Sequence, residues 1–462
     1  MTQPLKNLII SLSCILFLSC NPHSPVDSDK TAFLNDLKKR TFLYFWELVD
    51  KPTGQIPDRY PTHNFTSIAA TGFGLAAYLV GIENNYITRE EGAERVLHAL
   101  NWLWQSKRGP EDSSVTGYKG FYYHFLTYGD GIRYKDVELS TIDTGLLMAG
   151  ILTCQSYFDR DIKAERQIRS LADSLYLRVD WDWAMNGQEC MSMGWFPDRG
   201  FLEAQWSGYN EAMILIIMAL GSPSHPVHDA AWTSWCRKYQ WSEFYGQEHI
   251  NFSPLFGHQY SHMFIDFRGI QDEYMADKGI DYFENSRSAT YSNRAYCIDN
   301  PSGFYGYDNK IWGLTACDGP GEIKLPFDID SVQFWGYRAR GASNLEIVDD
   351  GTIAPTAAGG SIPFAPEICI EALMTMKDNF GNSLYQEYGF KDAFNLTFQA
   401  DEMSDPGWFD KDYIGIDQGP IIIQLENYQT GLIWEVMKKN KYIITGLKKA
   451  GFNGGWLEPL IK

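Results

Sequence analysis

Residues 136–152 read Asp136-Val-Glu138-Leu-Ser140-Thr-Ile-Asp143-Thr-Gly-Leu-Leu-Met-Ala-Gly-Ile-Leu152, and from Leu139 onward the stretch is apolar on nearly every side. A helix with no polar face has to be surrounded by other elements. Ala212 to Leu220 is a second such stretch, whereas 89–106 and 162–175 carry apolar residues on one helical face and charges on the other. Two kinds of helix imply two layers, an inner one buried on all sides and an outer one facing water. Helical periodicity recurs from Leu34 to Leu48, from Ile68 to Leu79 and from Ala93 to Trp104. It recurs again at about 138–158, 163–175, 207–220, 227–239, 253–265, 273–296, 366–378, 418–438 and 442–450. About twelve helices in all, with no alternation of strand and helix, exclude a doubly wound sheet or a (β/α)8 barrel. The expected class is all-α, an (α/α)6 barrel whose connecting loops gather at one end as a cleft. Aromatic, glycine-rich loops at 108–130, 181–209 and 297–366 would line that cleft.

Composition narrows the ligand. The 462 residues hold 39 Lys+Arg against 58 Asp+Glu, a formal charge of −19 that repels nucleic acid and anionic lipid. Aromatic residues make up 15% of the chain, enough to fill a core and still present ring faces to a neutral ligand. Residues 1–19 read as an export signal, with Lys6, an apolar run from Leu8 and the ending Leu18-Ser19 before Cys20. The small residue before Cys20 and the polar stretch after it resemble the lipobox of bacterial lipoproteins. Cys20 is then the acylated N-terminus, residues 20–30 a lipidated linker, and 31–462 one catalytic domain. The expected location is a bacterial membrane, on the periplasmic or outer-membrane side, with the lipid as the only membrane contact and the protein a monomer. Cleavage by an ordinary signal peptidase is the alternative. Beyond Cys14 and Cys20, six further cysteines are scattered without CxxC spacing and read as buried apolar side chains, with at most one disulfide among them.

Familiar cofactor motifs fail on inspection. His258 and His262 stand four residues apart, yet Gln259 occupies the place of the glutamate that a metalloprotease requires. Structural or substrate-contacting histidines fit better than metal ligands. Gly72-Phe-Gly-Leu-Ala-Ala77 lacks the preceding strand of a dinucleotide fingerprint and reads as close helix packing. No metal and no cofactor are expected.

The informative residues are acids set in apolar sequence, because a buried carboxylate needs a partner or a task. Glu138 and Asp143 open the 139–152 helix, either as chemistry or as charges supporting a cap at Ser140 or Thr141. In Trp206-Ser-Gly-Tyr209-Asn210-Glu211-Ala, Glu211 stands between an aromatic cluster and an apolar run, a setting that raises a glutamate pKa and suits a general acid. Tyr413-Ile-Gly-Ile-Asp417-Gln418-Gly-Pro420 puts Asp417 and Gln418 at a helix mouth, with Glu426 and Asn427 two turns further on. Asp266 and Arg268 read as an ion pair. Cleft carboxylates among Trp and Tyr, with amides nearby, form the inventory of a glycoside hydrolase.

At these segments the sequence resembles the glucoamylase-like domain of glycoside hydrolase family 144. The resemblance is carried by Glu138-Leu-Ser-Thr-Ile-Asp143-Thr, Tyr209-Asn-Glu-Ala212 with Ala219-Leu-Gly-Ser-Pro223, and Phe256-Gly-His-Gln-Tyr-Ser-His262. Asp350-Gly-Thr-Ile-Ala-Pro-Thr-Ala-Ala358, Pro363-Phe-Ala-Pro-Glu367 and Ile416-Asp-Gln-Gly-Pro420 with Glu426-Asn427 complete it. It implies an (α/α)6 barrel and cofactor-free, inverting hydrolysis of β-1,2-glucan, either endo-acting or sophorose-releasing. Carried over, the catalytic set is Glu211, Asp143 and Asp417. Asp417 is the expected base, with Glu426 and Asp401 in reserve. Glu138, Trp206, Tyr209, Asn210, His258, His262, Gln418, Glu426 and Asn427 are expected to contact substrate. A non-catalytic glycan-binding lipoprotein, or a barrel acting on another linkage, is the alternative.

Overall fold

The computed structural model describes residues 25–458, apart from 112, 328, 329 and 400–406. The export signal, Cys20 and Asp401 lie outside the described residues. The first helix is Pro25–Glu47, so it begins inside the segment read as a linker.

The two apolar helices Ile68–Glu83 and Thr141–Tyr157 form the centre. Ser67 and Ser140 cap them, each hydroxyl accepting a backbone N–H three residues on. They touch backbone to backbone. A β-carbon added at Gly72 would stand 2.3 Å from the Leu146 carbonyl oxygen, and one added at Gly150 would stand 2.0 Å from the Gly72 oxygen. Gly72 is therefore a packing residue, as its sequence context suggested. Gly415–Gln429 packs on the other side of the 68–83 helix, and Met213–Gly221 packs on the 141–157 helix. Tyr260–Phe264 touches both flanking helices, and Pro355–Gly359 packs on the 415–429 helix.

Amphipathic helices cover this layer. Pro25–Glu47 lies on the 68–83 and 415–429 helices, and Arg89–Gln105 lies on 68–83. Lys163–Leu177 lies on 141–157, and Pro366–Phe380 on 355–359. Lys441–Lys449 lies on 213–221 through a second glycine pair, Gly221 against the Tyr442 carbonyl and Gly446 against that of Ile217. The 89–105 helix starts in a capping box between Thr88 and Glu91. No helix among the described residues is long and apolar enough to cross a membrane.

Several boundaries differ from the periodicity. The expected 207–220 helix begins only at Met213, because the Asn210 side chain accepts the Ala212 N–H and holds a turn. Gly279 (φ +72°) ends Glu273–Lys278 before Tyr282–Asp299, and Gly431 (φ +73°) separates Gly415–Gln429 from Leu432–Met437. The all-α class also needs amending. The loops contain short sheets, the largest five-stranded in the order 117–118, 121–123, 139–140, 194–196 and 200–201. Buried loop backbone needs hydrogen-bond partners, and strand pairing supplies them. Cys154, Cys190, Cys236, Cys297, Cys317 and Cys369 are all free thiols.

Gly150→Ala should destabilise the fold by about 1–3 kcal/mol in denaturant unfolding, since a backbone oxygen has to move. Gly336→Ala, where a β-carbon meets only the Glu322 carboxylate at 4.0 Å, should stay within about 0.5 kcal/mol.

Candidate active site

The strand register creates the first half of the site. Tyr123 pairs with Leu139 in the five-stranded sheet, which sets His124 beside Glu138. The His124 N–H also donates to the Glu138 carbonyl at 3.0 Å. On the side chains, His124 Nδ1 lies 2.8 Å from Glu138 Oε1, and Nε2 lies 3.5 Å from Asp143 Oδ1. Asp143 is fixed in the first turn of its helix, where Ser140 Oγ accepts its N–H at 3.2 Å and donates to its Oδ2. Burial alone would depress His124. The charges of Asp143, Glu138 and Asp58 overcome it and hold the imidazole up at about 9, an imidazolium at neutral pH. Burial pushes Asp143 above the ordinary aspartate range, with His124 opposing the push. Burial acts on Glu138 in the same sense, but the bond and charge of His124 bring it below the ordinary glutamate range.

Glu211 faces this group across a cavity of about 450 Å³ that Asp143 and His124 also line. It sits in the turn that Asn210 holds, and its carbonyl accepts the Ser261 hydroxyl at 3.1 Å. Burial pushes its carboxyl up to about 7, and the nearby Asp143 charge adds to the shift. Phe65, Phe125, Phe256, Tyr260 and Tyr337 supply aromatic walls. Phe125 comes from the 108–130 loop and Tyr337, half exposed, from the 297–366 loop, so two of the three loops named from the sequence reach the cavity, while 181–209 contributes no lining residue.

Asp58 and Arg59 close another side. Arg59 donates to Asp58 Oδ2 at 3.0 Å and to Asp318 Oδ2 at 2.6 Å. Asp417 is buried behind this wall beside Asp392. Burial and the surrounding Asp318 and Asp58 charges push its carboxyl up.

The remaining residues expected to meet substrate are placed elsewhere. Asp417 itself is not among the lining residues; Ile414 and Ile416 are. One residue turns a helix by about 100°, so Asp417 points away when Ile416 points in. Glu426, about two and a half turns further along the helix, does not line the cavity and is held by Lys38 at 2.6 Å, which removes it as a reserve base. Asn427 donates to the Met263 carbonyl, and Gln418 to that of Phe390. Trp206 donates its indole N–H to Thr141 Oγ1, and Tyr209 stacks on Tyr282 and His258. Asn210 Oδ1 also accepts the Trp235 indole N–H at 3.3 Å. His258 and His262 are buried and depressed by burial, His262 to about 3, so both imidazoles are neutral. These side chains hold the helices and the Glu211 turn. Asp266 is gripped by Arg268 at 2.7 and 2.8 Å, the ion pair read from the sequence.

Asp58, Arg59, His124, Tyr260 and Tyr337 are site residues that the sequence reading missed. A signal existed for three of them. His124 is the one ionisable group in Phe121-Tyr-Tyr-His-Phe-Leu126 beyond the tyrosines, and Asp58-Arg59 follows the buried pair Ile56-Pro57. The partners of both come from distant segments.

Comparison with known proteins places this geometry. The family model named Glycoamylase, described as putative glucoamylase, matches residues 203–441. An exo β-1,2-glucooligosaccharide sophorohydrolase of Parabacteroides distasonis is 28% identical over 450 residues, covering 90% of this chain and 57% of its own length. The chain thus spans little more than half of that curated relative. A putative glucoamylase from Bacteroides uniformis is 35% identical with a TM-score of 0.81, covering 93% of this chain and 99% of that one. An endo-β-1,2-glucanase from Chitinophaga pinensis, solved with sophorotriose and glucose, is 29% identical with a TM-score of 0.80 and the same coverages.

The raised Glu211 carboxyl has a thermodynamic consequence. Between its ordinary value near 4.3 and about 7, the folded state holds a proton that the unfolded state releases. Stability from this group is present below that window and lost as pH rises through about 7. Glu211→Gln should therefore be more stable than the native protein at pH 8, with the gain vanishing near pH 4, as read by denaturant unfolding at the two pH values.

Proposed function

Because the chain belongs to the Glycoamylase family, we propose that it is a monomeric glycoside hydrolase that cleaves β-1,2-linked glucan, by endo or sophorose-releasing exo action. The observation that carries the reading is the pair Glu211 and Asp143, facing one cavity with aromatic walls, with a cation, His124, beside Asp143 alone. The names of the relatives from Parabacteroides distasonis and Chitinophaga pinensis support the linkage.

Glu211 is the acid. With its proton held up to about pH 7, it donates to the glycosidic oxygen, O2 of the departing sugar, as the bond from that oxygen to C1 breaks. Water bonds to C1 from the opposite face and gives its proton to Asp143. The imidazolium of His124, 3.5 Å from Asp143, favours the ionised base and is itself anchored by Glu138. Aromatic rings stack on pyranose faces, and Asp58 and Arg59 offer hydroxyl partners. A neutral substrate needs no charge attraction, which suits a chain of net charge −19.

We also propose that the helices close as an (α/α)6 barrel. Its inner ring runs through 68–83, 141–157, 213–221, 260–264, 355–359 and 415–429, a reading supported by helix contacts between successive members except 260–264 and 355–359, which are joined by the Gln259 amide donating to the Ala357 carbonyl, and by the outer helices on their backs. Removal of residues 1–19 and acylation of Cys20 would tether the enzyme to a membrane.

Glu211→Gln should lower kcat on linear β-1,2-glucan by at least about 10²-fold with folding intact. Asp143→Asn should lose a similar amount and recover with azide, which replaces water as the nucleophile. Product chromatography checks both. Absence of any product from the β-1,2 polymer and its oligosaccharides would refute the function, and azide rescue in Asp417→Asn instead would move the base to Asp417.

A further inference from the structure

Behind the Arg59 wall, three aspartates from separate segments converge. Asp318 follows the strand Ala316–Cys317, Asp392 follows Gly389–Phe390, and Asp410 follows Trp408–Phe409. Backbone bonds fix their approach. The Asp410 N–H donates to the Ala393 carbonyl at 2.9 Å, and the Asp392 N–H donates to that of Asp412 at 3.0 Å. One carboxylate oxygen from each lies within 4.8 Å of the other two.

We infer that Asp318, Asp392 and Asp410 form a binding site for one hard divalent cation, with calcium as the fitting ion. Oxygens that share a calcium at about 2.3–2.6 Å lie no more than about 5 Å apart, the spacing found here. All three ligands are carboxylates, the donor set for calcium or magnesium rather than zinc or copper.

The hydrogen bonding is built for an ion. Asp392 and Asp410 are 2% and 5% exposed. Asp392 spends Oδ2 on the Asp318 N–H at 2.7 Å, and Asp410 spends Oδ1 on the Asp412 N–H at 3.0 Å. Their other oxygens, Asp392 Oδ1 and Asp410 Oδ2, have no donor among the described residues. Asp417, outside the trio and 2% exposed, shares a side-chain hydrogen bond with Asp392 and so adds a fourth carboxyl beside it. A buried acceptor left without a donor is costly, and carboxylates packed together more so. Arg59 reaches only Asp318 of the three, at 2.6 Å. The cation would complete the chain from Asp410 through Asp318 and Arg59 to Asp58 in the cavity wall, so it steadies that wall without touching substrate. Ligands this far apart in sequence explain why no motif announced the site.

The test uses the intact protein, stripped with a chelator, dialysed and titrated with calcium chloride by calorimetry while its thermal midpoint is followed. One equivalent should bind, and the midpoint should rise to a plateau that sodium chloride of equal ionic strength does not reproduce. Asp410→Asn should weaken binding at least about tenfold with the circular dichroism spectrum preserved. Should that variant fail to fold, Asp318→Asn, at the less buried position, serves in its place. Asp299→Asn, at a distant exposed acid, should bind normally. Magnesium binding in place of calcium at the same residues would support the site. Absence of heat and of any midpoint shift with millimolar calcium or magnesium would overturn it, as would unchanged binding in both aspartate variants. None of these readouts depends on glucan hydrolysis.

Discussion

The backbone contact between Gly72 and Gly150 is the constraint on which the rest depends. It lets two wholly apolar helices approach until their carbonyls and α-carbons touch, closer than any side chain permits. Their capped N-termini then lie side by side. Ser67 at one and Asp143 at the other line the same cavity, so the site is located by the helix contact and decorated by the loops. Gly221 and Gly446 repeat the device for the helix that follows Glu211.

The second organising fact is an imbalance of charge around the cavity. Asp58, Asp143, Glu138 and Glu211 gather there, while His124 and Arg59 supply the nearby positive charge. The cations are distributed unevenly. His124 is bound between Glu138 and Asp143, and Arg59 between Asp58 and Asp318. Glu211 receives neither and keeps its proton to about pH 7. Burial pushes both carboxyls up, but only Asp143 has a cation next to it to oppose the push, and the proposed acid and base roles rest on that asymmetry.

Much of this could be read before any coordinates. The helices were legible because burial on all sides and burial on one side leave different patterns, and Glu211 because an acid ahead of an apolar run is conspicuous. Asp143 was legible from its helix start. The residues that failed share one cause. Gln418, Glu426 and Asn427 are polar near an acid, and composition does not reveal which side of a helix faces a cavity, nor that Tyr209 and Asn210 would pack in the turn before Met213 against Tyr282 and Trp235. Nine residues separate Asp417 from Glu426, half a turn out of phase, so both cannot face it. Arg59 and His124 were hidden for the opposite reason: each takes its meaning from a partner outside its own segment, Asp318 for one and Glu138 with Asp143 for the other.

The central claim is that Glu211 and Asp143 act as acid and base on opposite faces of the sugar, with water between them. Proton NMR of the anomeric signals during the first minutes of β-1,2-glucooligosaccharide hydrolysis tests it directly. The newly formed reducing end should appear first as the α-anomer and then mutarotate. A new reducing end that appears first as the β-anomer would contradict it.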